Sequence, residues 1–181
     1  MRIVVSGTHA SGKSTLISDF VLAHPEFAVL PDPFELIDEG WDAPSASMFA
    51  AQLRIAAGRL HGDDHGDRFI AERGPIDFLA YLNALDELSG GTVPDELIAR
   101  ATATTLDALG TVDLLVVLPL AADDPIHVGG DEDLELREAM NQWLLELVDD
   151  PDVVAEHLRV VELSGDRGSR LAALEALTGV A

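Results

Sequence analysis

Eight residues near the amino terminus, Gly7-Thr8-His9-Ala10-Ser11-Gly12-Lys13-Ser14, constrain the fold of this chain more than any other stretch. They stand between an apolar run, Ile3-Val4-Val5, and a pattern in which apolar residues return every three or four positions, so the sequence reads strand, tight loop, helix. The spacing G-x-x-x-x-G-K-[ST] lets the backbone curl until successive N–H groups face inward, and the helix start adds the positive end of its dipole. Such a loop cradles phosphate. In that reading Lys13 bridges the β- and γ-phosphates of a nucleotide and the Ser14 hydroxyl ligates Mg²⁺. Lys13 is also the sole lysine among 11 basic residues, and with 15 glycines in 181 residues the pattern would surround it by chance less than about once in a thousand. It is expected to be an exposed loop side chain, one that carries little stability.

The rest of the chain repeats the alternation of short apolar runs with longer helical patterns that builds a parallel sheet. Strands are predicted over 2–6, 27–30, 68–71, 112–118 and 159–163, making one five-stranded sheet. Helices are predicted over 12–23, 46–60, 76–88, 94–109, 133–148 and 167–177. The irregular stretches, 31–44, 61–67 and 119–132, are long for idle connections, and the first and third directly follow strands, where ligands of open α/β sheets bind.

No repeat or linker divides residues 1–181, which fit a single domain able to bury its own core. The absence of cysteine excludes disulfides, thiol catalysis and thiolate zinc sites and suits a reducing cytoplasm. Neither a cleavable signal nor a run of eighteen apolar residues is recognisable, so neither export nor membrane spanning is expected. A formal net charge of −22, spread along the chain, repels phosphate backbones and anionic lipid, so neither nucleic acid nor membrane is expected as a partner. The oligomeric state stays open, a homodimer among the options.

Two further clusters carry chemistry. Glu72 and Arg73 end the third strand: the carboxylate suits Mg²⁺ or its waters, and the guanidinium suits a phosphate oxygen. Their bland reading is a solvated pair before a helix that opens at Pro75. Pro31-Asp32-Pro33-Phe34-Glu35 follows the second strand, where Asp32 would accept the proton of a substrate hydroxyl or, more blandly, would serve a proline-bounded turn. His61-Gly-Asp-Asp-His65 reads as a polar loop rather than a metal site, and Trp41 and Trp143 read as packing residues. No G-x-S-x-G elbow occurs, nor a G-x-G-x-x-G after the first strand, which sets aside α/β-hydrolases and dinucleotide oxidoreductases.

Together the phosphate loop, Asp32-Pro33 and the run Glu72-Arg73-Gly74-Pro75-Ile76-Asp77-Phe78-Leu79-Ala80-Tyr81 resemble the P-loop kinase group of nucleoside kinases and nicotinamide riboside kinase-like proteins. The nearest likeness is to bacterial ATP-binding proteins labelled AAA-family ATPases. The resemblance covers almost the whole chain and implies an α/β fold, a P-loop NTPase three-layer α/β/α sandwich with a five-stranded parallel sheet, of the nucleoside-monophosphate-kinase type. It implies a nucleotide cradle of Gly7, Thr8, His9, Ala10, Ser11, Gly12, Lys13, Ser14 and Thr15, and an ATP and Mg²⁺ requirement with Ser14 and Glu72 on the metal. Asp32 is the implied catalytic base, the match to a Glu-Pro with a shorter acid, and Arg73 and Asp77 match an arginine and a following acid. Gln52 is a weaker match to a polar group that contacts substrate. Arg167, in Ser164-Gly165-Asp166-Arg167-Gly168, falls where such folds carry an adenine-binding loop and would stack on the base, although a plain strand-to-helix turn fits the sequence as well.

Two departures stand out. The lid-like segment 119–133 holds five acids and no arginine, so Arg137 is the nearest candidate to cover a transferred phosphate, its bland reading being a surface helix residue. Near Asp32 no aromatic pair is recognisable beyond Phe34 and Trp41. The expected activity is transfer of the γ-phosphate of Mg·ATP to a hydroxyl of a small molecule, nucleosides included. The alternative is an ATP-dependent switch without such an acceptor.

Overall fold

In the computed structural model, residues 1–36, 44–62, 65–120 and 133–179 are described. Five strands, β1 (Arg2–Ser6), β2 (Ala28–Leu30), β3 (Phe69–Glu72), β4 (Leu114–Val117) and β5 (Arg159–Glu162), form one parallel sheet in the order β2-β3-β1-β4-β5. Among the described residues six α-helices cover it: α1 (Lys13–Ala23), α2 (Ala46–His61), α3 (Pro75–Ser89), α4 (Asp95–Leu109), α5 (Leu134–Leu147) and α6 (Arg167–Thr178). Among the described residues, no helix is long and apolar enough to cross a membrane.

The near-continuous apolar strands are what a sheet buried on both faces requires. Ile3 pairs in register with Ile70 and Leu114, and these join Phe20, Ile17 and Leu174 in a core beneath α1 and α6. One residue on, Val4 pairs with Ala71 and Leu115, which face a larger core shared by α2, α3, α4 and α5. Each fully buried Phe or Leu contributes about 1.5–3 kcal/mol by leaving water, so the alternation fixes register as well as stability.

Local signals set the helix starts. Ser45 caps α2 by accepting from the Met48 N–H, Asp133 caps α5, Asp166 caps α6, and Pro75 opens α3 where a missing N–H costs nothing. The expected strand 112–118 is shorter in the ladder because Val112 belongs to the turn after α4, closed by its N–H on the Leu109 carbonyl. Phe27 likewise precedes β2, packed edge-on against Phe20 with ring centroids 5.1 Å apart. β3 extends one residue past its expected end, and that residue is Glu72, paired with Val5. Trp143 packs against the larger core and donates its indole N–H to Glu87 Oε2 at 2.7 Å. Trp41 and most of the lid-like segment lie outside the described residues.

Candidate functional site

All five strands run the same way, so the segments after β1, β2 and β3 gather at one edge of the sheet. The loop after β1 turns at two glycines with positive φ: Gly7 at 152°, where a Cβ would meet the Leu118 carbonyl at 2.8 Å, and Gly12 at 90°, which begins α1. Lys13 is 4% exposed, correcting the expectation of an open side chain. Its Nζ donates to the Thr8 carbonyl at 2.6 Å and to Ser11 Oγ at 3.5 Å. Burial, with the neighbouring Arg73 charge, lowers its pKa from 10.5 to about 7, against the pull of Asp77, Glu72 and Asp32. The loop therefore holds a cation starved of an anion.

Glu72 and Arg73 part company despite being neighbours. Glu72 Oε1 accepts from Ser14 Oγ at 2.8 Å, and burial pushes its carboxyl up, opposed by that hydroxyl and by Lys13. Two hard oxygen donors, Ser14 Oγ and Glu72 Oε1, converge beside the loop and fit a Mg²⁺ ion. Arg73 adopts φ 61°, a conformation that costs a residue with a side chain about 1 kcal/mol, and so swings its guanidinium beneath the loop. Only 2% of that side chain is exposed. Its Nε donates to Asp32 Oδ2 at 2.8 Å and its Nη1 to the Gly7 carbonyl at 2.9 Å, with Asp77 Oδ1 3.7 Å away. Burial alone would lower its pKa, but Tyr81, Asp32 and Asp77 outweigh it and keep the guanidinium charged.

Asp32 is thus brought to the loop, as its position in sequence anticipates, and is oriented by Arg73 and by the Phe34 N–H at 3.0 Å on Oδ1. Asp77, fully buried, accepts from Ser6 Oγ at 2.6 Å and from the Gly7 and Gly74 N–H groups at 2.9 Å each, which ties β1 and its loop to the start of α3. Burial pushes its carboxyl up, and Arg73 with the Gly7 and Ser6 donors pulls it back.

A cleft of about 970 Å³ runs from His9 through Thr15 of the loop to Asp32 and Arg73 and is walled by aromatic rings. Phe34 is joined there by Phe49 of α2 and Tyr81 of α3, the latter two stacked 4.8 Å apart and 7° from parallel. Neither was legible as part of a site, because helical apolar spacing looks the same on a core face and on a cleft wall. Gln52 is buried on α2 with its Oε1 unpartnered, but it does not line the cleft.

Arg137 also borders the cleft, where its Nε and Nη2 donate to the His9 and Ala10 carbonyls at 2.9 and 3.4 Å. Arg167 does not line the cleft. It forms a bidentate pair with Asp19 of α1, at 2.6 and 2.5 Å, because α6 packs on α1 and a guanidinium fork matches a carboxylate. One turn later Arg170, which the sequence did not single out, is buried with Nη1 on the Ser11 carbonyl at 3.0 Å. His61 meets Asp107 and His65 meets the Arg59 carbonyl, and among the described residues no three His, Cys, Asp or Glu gather as for a metal.

No protein-family model matches this chain, and neither does any curated protein. Solved structures do. Thymidylate kinase from Candida albicans superposes with a TM-score of 0.64 at 18% identity, over 98% of this chain and 90% of that one. Deoxyadenosine kinase from M. mycoides with bound dATP gives 0.66 at 12% identity over 99% and 100%. NadR in complex with NR gives 0.68 at 16% over 99% of this chain and 52% of the longer NadR chain. The first two are kinases by name, and none of the three lends support to the AAA-family label. What the likeness shows is the fold: a five-stranded parallel sheet with helices on both faces, as in the P-loop nucleoside kinases.

Proposed function

We propose that this chain is an ATP-dependent kinase that phosphorylates a hydroxyl of a small molecule, nucleosides being the first class to test. The observation that carries the reading is the continuity of the cleft: beyond the phosphate loop it extends past Asp32 and Arg73 to Phe34, Phe49 and Tyr81, leaving room for a second substrate. The likeness to kinases in fold agrees with this.

In this reading Lys13 contacts the β- and γ-phosphates, and the N–H groups of the loop hold their oxygens. Ser14 and Glu72 would hold Mg²⁺, which when bound neutralises charge on those oxygens. Asp32, held at one oxygen by Arg73, keeps lone pairs with which to accept the proton of the acceptor hydroxyl as its oxygen attacks phosphorus. Arg73 orients Asp32 and keeps positive charge beside the transferred group. The lack of cysteine supports work in a reducing cytoplasm.

A second reading, the ATP-dependent switch, is favoured by one observation: Arg137 is engaged by loop carbonyls and residues 119–133 contain no arginine to replace it. ATP consumption measured with and without a panel of nucleosides and other small alcohols separates the two. Stimulation by one compound is the expected result, and equal slow turnover across the panel refutes the kinase reading.

A further inference from the structure

Five successive carbonyl oxygens of the loop each accept from a cationic side chain. Arg73 donates to Gly7, Lys13 to Thr8, Arg137 to His9 and Ala10, and Arg170 to Ser11, at distances from 2.6 to 3.4 Å. The donors come from the end of β3 and from α1, α5 and α6. Every peptide bond here is trans, so the C=O and N–H of one peptide unit point in opposite directions. A donor that fixes the carbonyl of one residue therefore aims the N–H of the next, and a charged donor also polarises it. The five contacts together act on the N–H groups of Thr8, His9, Ala10, Ser11 and Gly12.

Lys13, Arg73 and Arg137 line the cleft and have work toward substrate as well; Arg170 does not line it. Arg170 is 6% exposed on α6, one turn before the fully buried Leu174, on the face that packs against α1. An aliphatic residue would continue that face without the desolvation cost of a buried cation, which is several kcal/mol. The chain nonetheless carries an arginine there, 159 residues from its acceptor.

We propose that Arg170 is a positioning residue of the phosphate loop, whose guanidinium sets the Ser11–Gly12 peptide so that the Gly12 N–H is presented to nucleotide phosphate. This rests on the phosphate-binding reading of the loop. It assigns α6 a part in gripping phosphate rather than in contacting the base.

The test measures dissociation constants of the full chain for Mg·ATP and for inorganic tripolyphosphate, with Arg170→Met and Arg170→Gln. With the Ser11–Gly12 peptide no longer held in place, binding must bear the cost of setting it, and a cost of about 1.4 kcal/mol predicts about tenfold weaker binding of both ligands by Arg170→Met, by the same factor for each. Arg170→Gln keeps an uncharged donor and is expected to lose less, again equally for both, and it carries the test if Arg170→Met does not fold. The Gly12 amide proton resonance of the ligand-free protein should also move in either variant, and by more than the amide resonances of α1 and α6 around Leu174, the reverse of the order that a helix-packing role alone would give. Wild-type affinity for both ligands, an unmoved Gly12 resonance, or weakened ATP binding with unchanged tripolyphosphate binding overturns the proposal. Lys13→Ala distinguishes the two levels. If it binds ATP as the parent does, the phosphate-loop reading fails and the proposal with it; if it loses ATP while the Arg170 variants do not, the proposal fails alone.

Discussion

Nucleotide binding should draw a proton out of solution, because the loop holds Lys13 at a pKa of about 7 until an anion arrives. Its ordinary value is 10.5, so keeping the ammonium form in the unliganded loop costs about 5 kcal/mol. At pH 8 a group titrating at about 7 is protonated in only about one molecule in ten, while the terminal phosphate of ATP, with a pKa near 6, is almost fully ionised. Phosphate beside the ammonium supplies the countercharge that burial denies it, so binding at pH 8 should take up about 0.9 protons, and affinity should fall about tenfold per pH unit above 7. Isothermal titration calorimetry in two buffers of different ionisation heat reads the uptake directly. Lys13→Met is the control and should lose it. Equal uptake by parent and variant, or none by the parent, refutes the reasoning. The same linkage acts on folding: between pH 7 and 10.5 the unfolded chain holds a proton at Lys13 that the folded chain has released, so the penalty that burying Lys13 imposes on the fold shrinks, and stability rises, as pH rises through this window. The Lys13→Met variant should lack that rise in denaturant titrations.

Four other outcomes are expected. Asp32→Asn should lower the rate of phosphoryl transfer while sparing Mg·ATP affinity, whereas Glu72→Gln should raise the Mg²⁺ concentration needed for half-maximal activity; swapped results exchange their roles. Arg137→Ala should reduce the single-turnover rate more than ATP affinity, the signature of a contact strengthened in the transition state, and parental rates would shift weight to the switch. Arg73→Met leaves Asp32 and the buried Asp77 without their guanidinium and should cost about 3–5 kcal/mol in urea unfolding, with less than about 1 kcal/mol ruling out a central role for the pair.

How far the sequence announced this depends on the range of each interaction. The strand-loop-helix at the amino terminus, the five strands and the helix starts are written locally, in spacing, glycine and capping residues, and they appear within two residues of where they are expected. Asp32 and Glu72 were legible because a strand's carboxyl end is a fixed address in a parallel sheet. Arg167 and Arg170 show where that legibility stops. Both are arginines early in α6, and nothing local tells which one meets Asp19 at the surface and which turns into the interior. That depends on how α6 lies on α1. The burial of Lys13 is of the same kind, since the walls around it come from β3 and α3, far along the chain.

The two cores differ in what they can lose. α1, which starts at Lys13, lies with α6 over the smaller one, while α3 sits in the larger core with α2, α4 and α5. Lifting the α1–α6 leaf uncovers fewer apolar side chains, so its opening free energy lies below that of the rest of the molecule. The phosphate loop joins this leaf to the sheet, and Lys13, Ser14 and Thr15 belong to the leaf itself. A nucleotide bound as proposed would therefore work as a clasp on the looser leaf: slowed amide exchange should appear first in α1 and α6, with α3 gaining only what the whole fold gains.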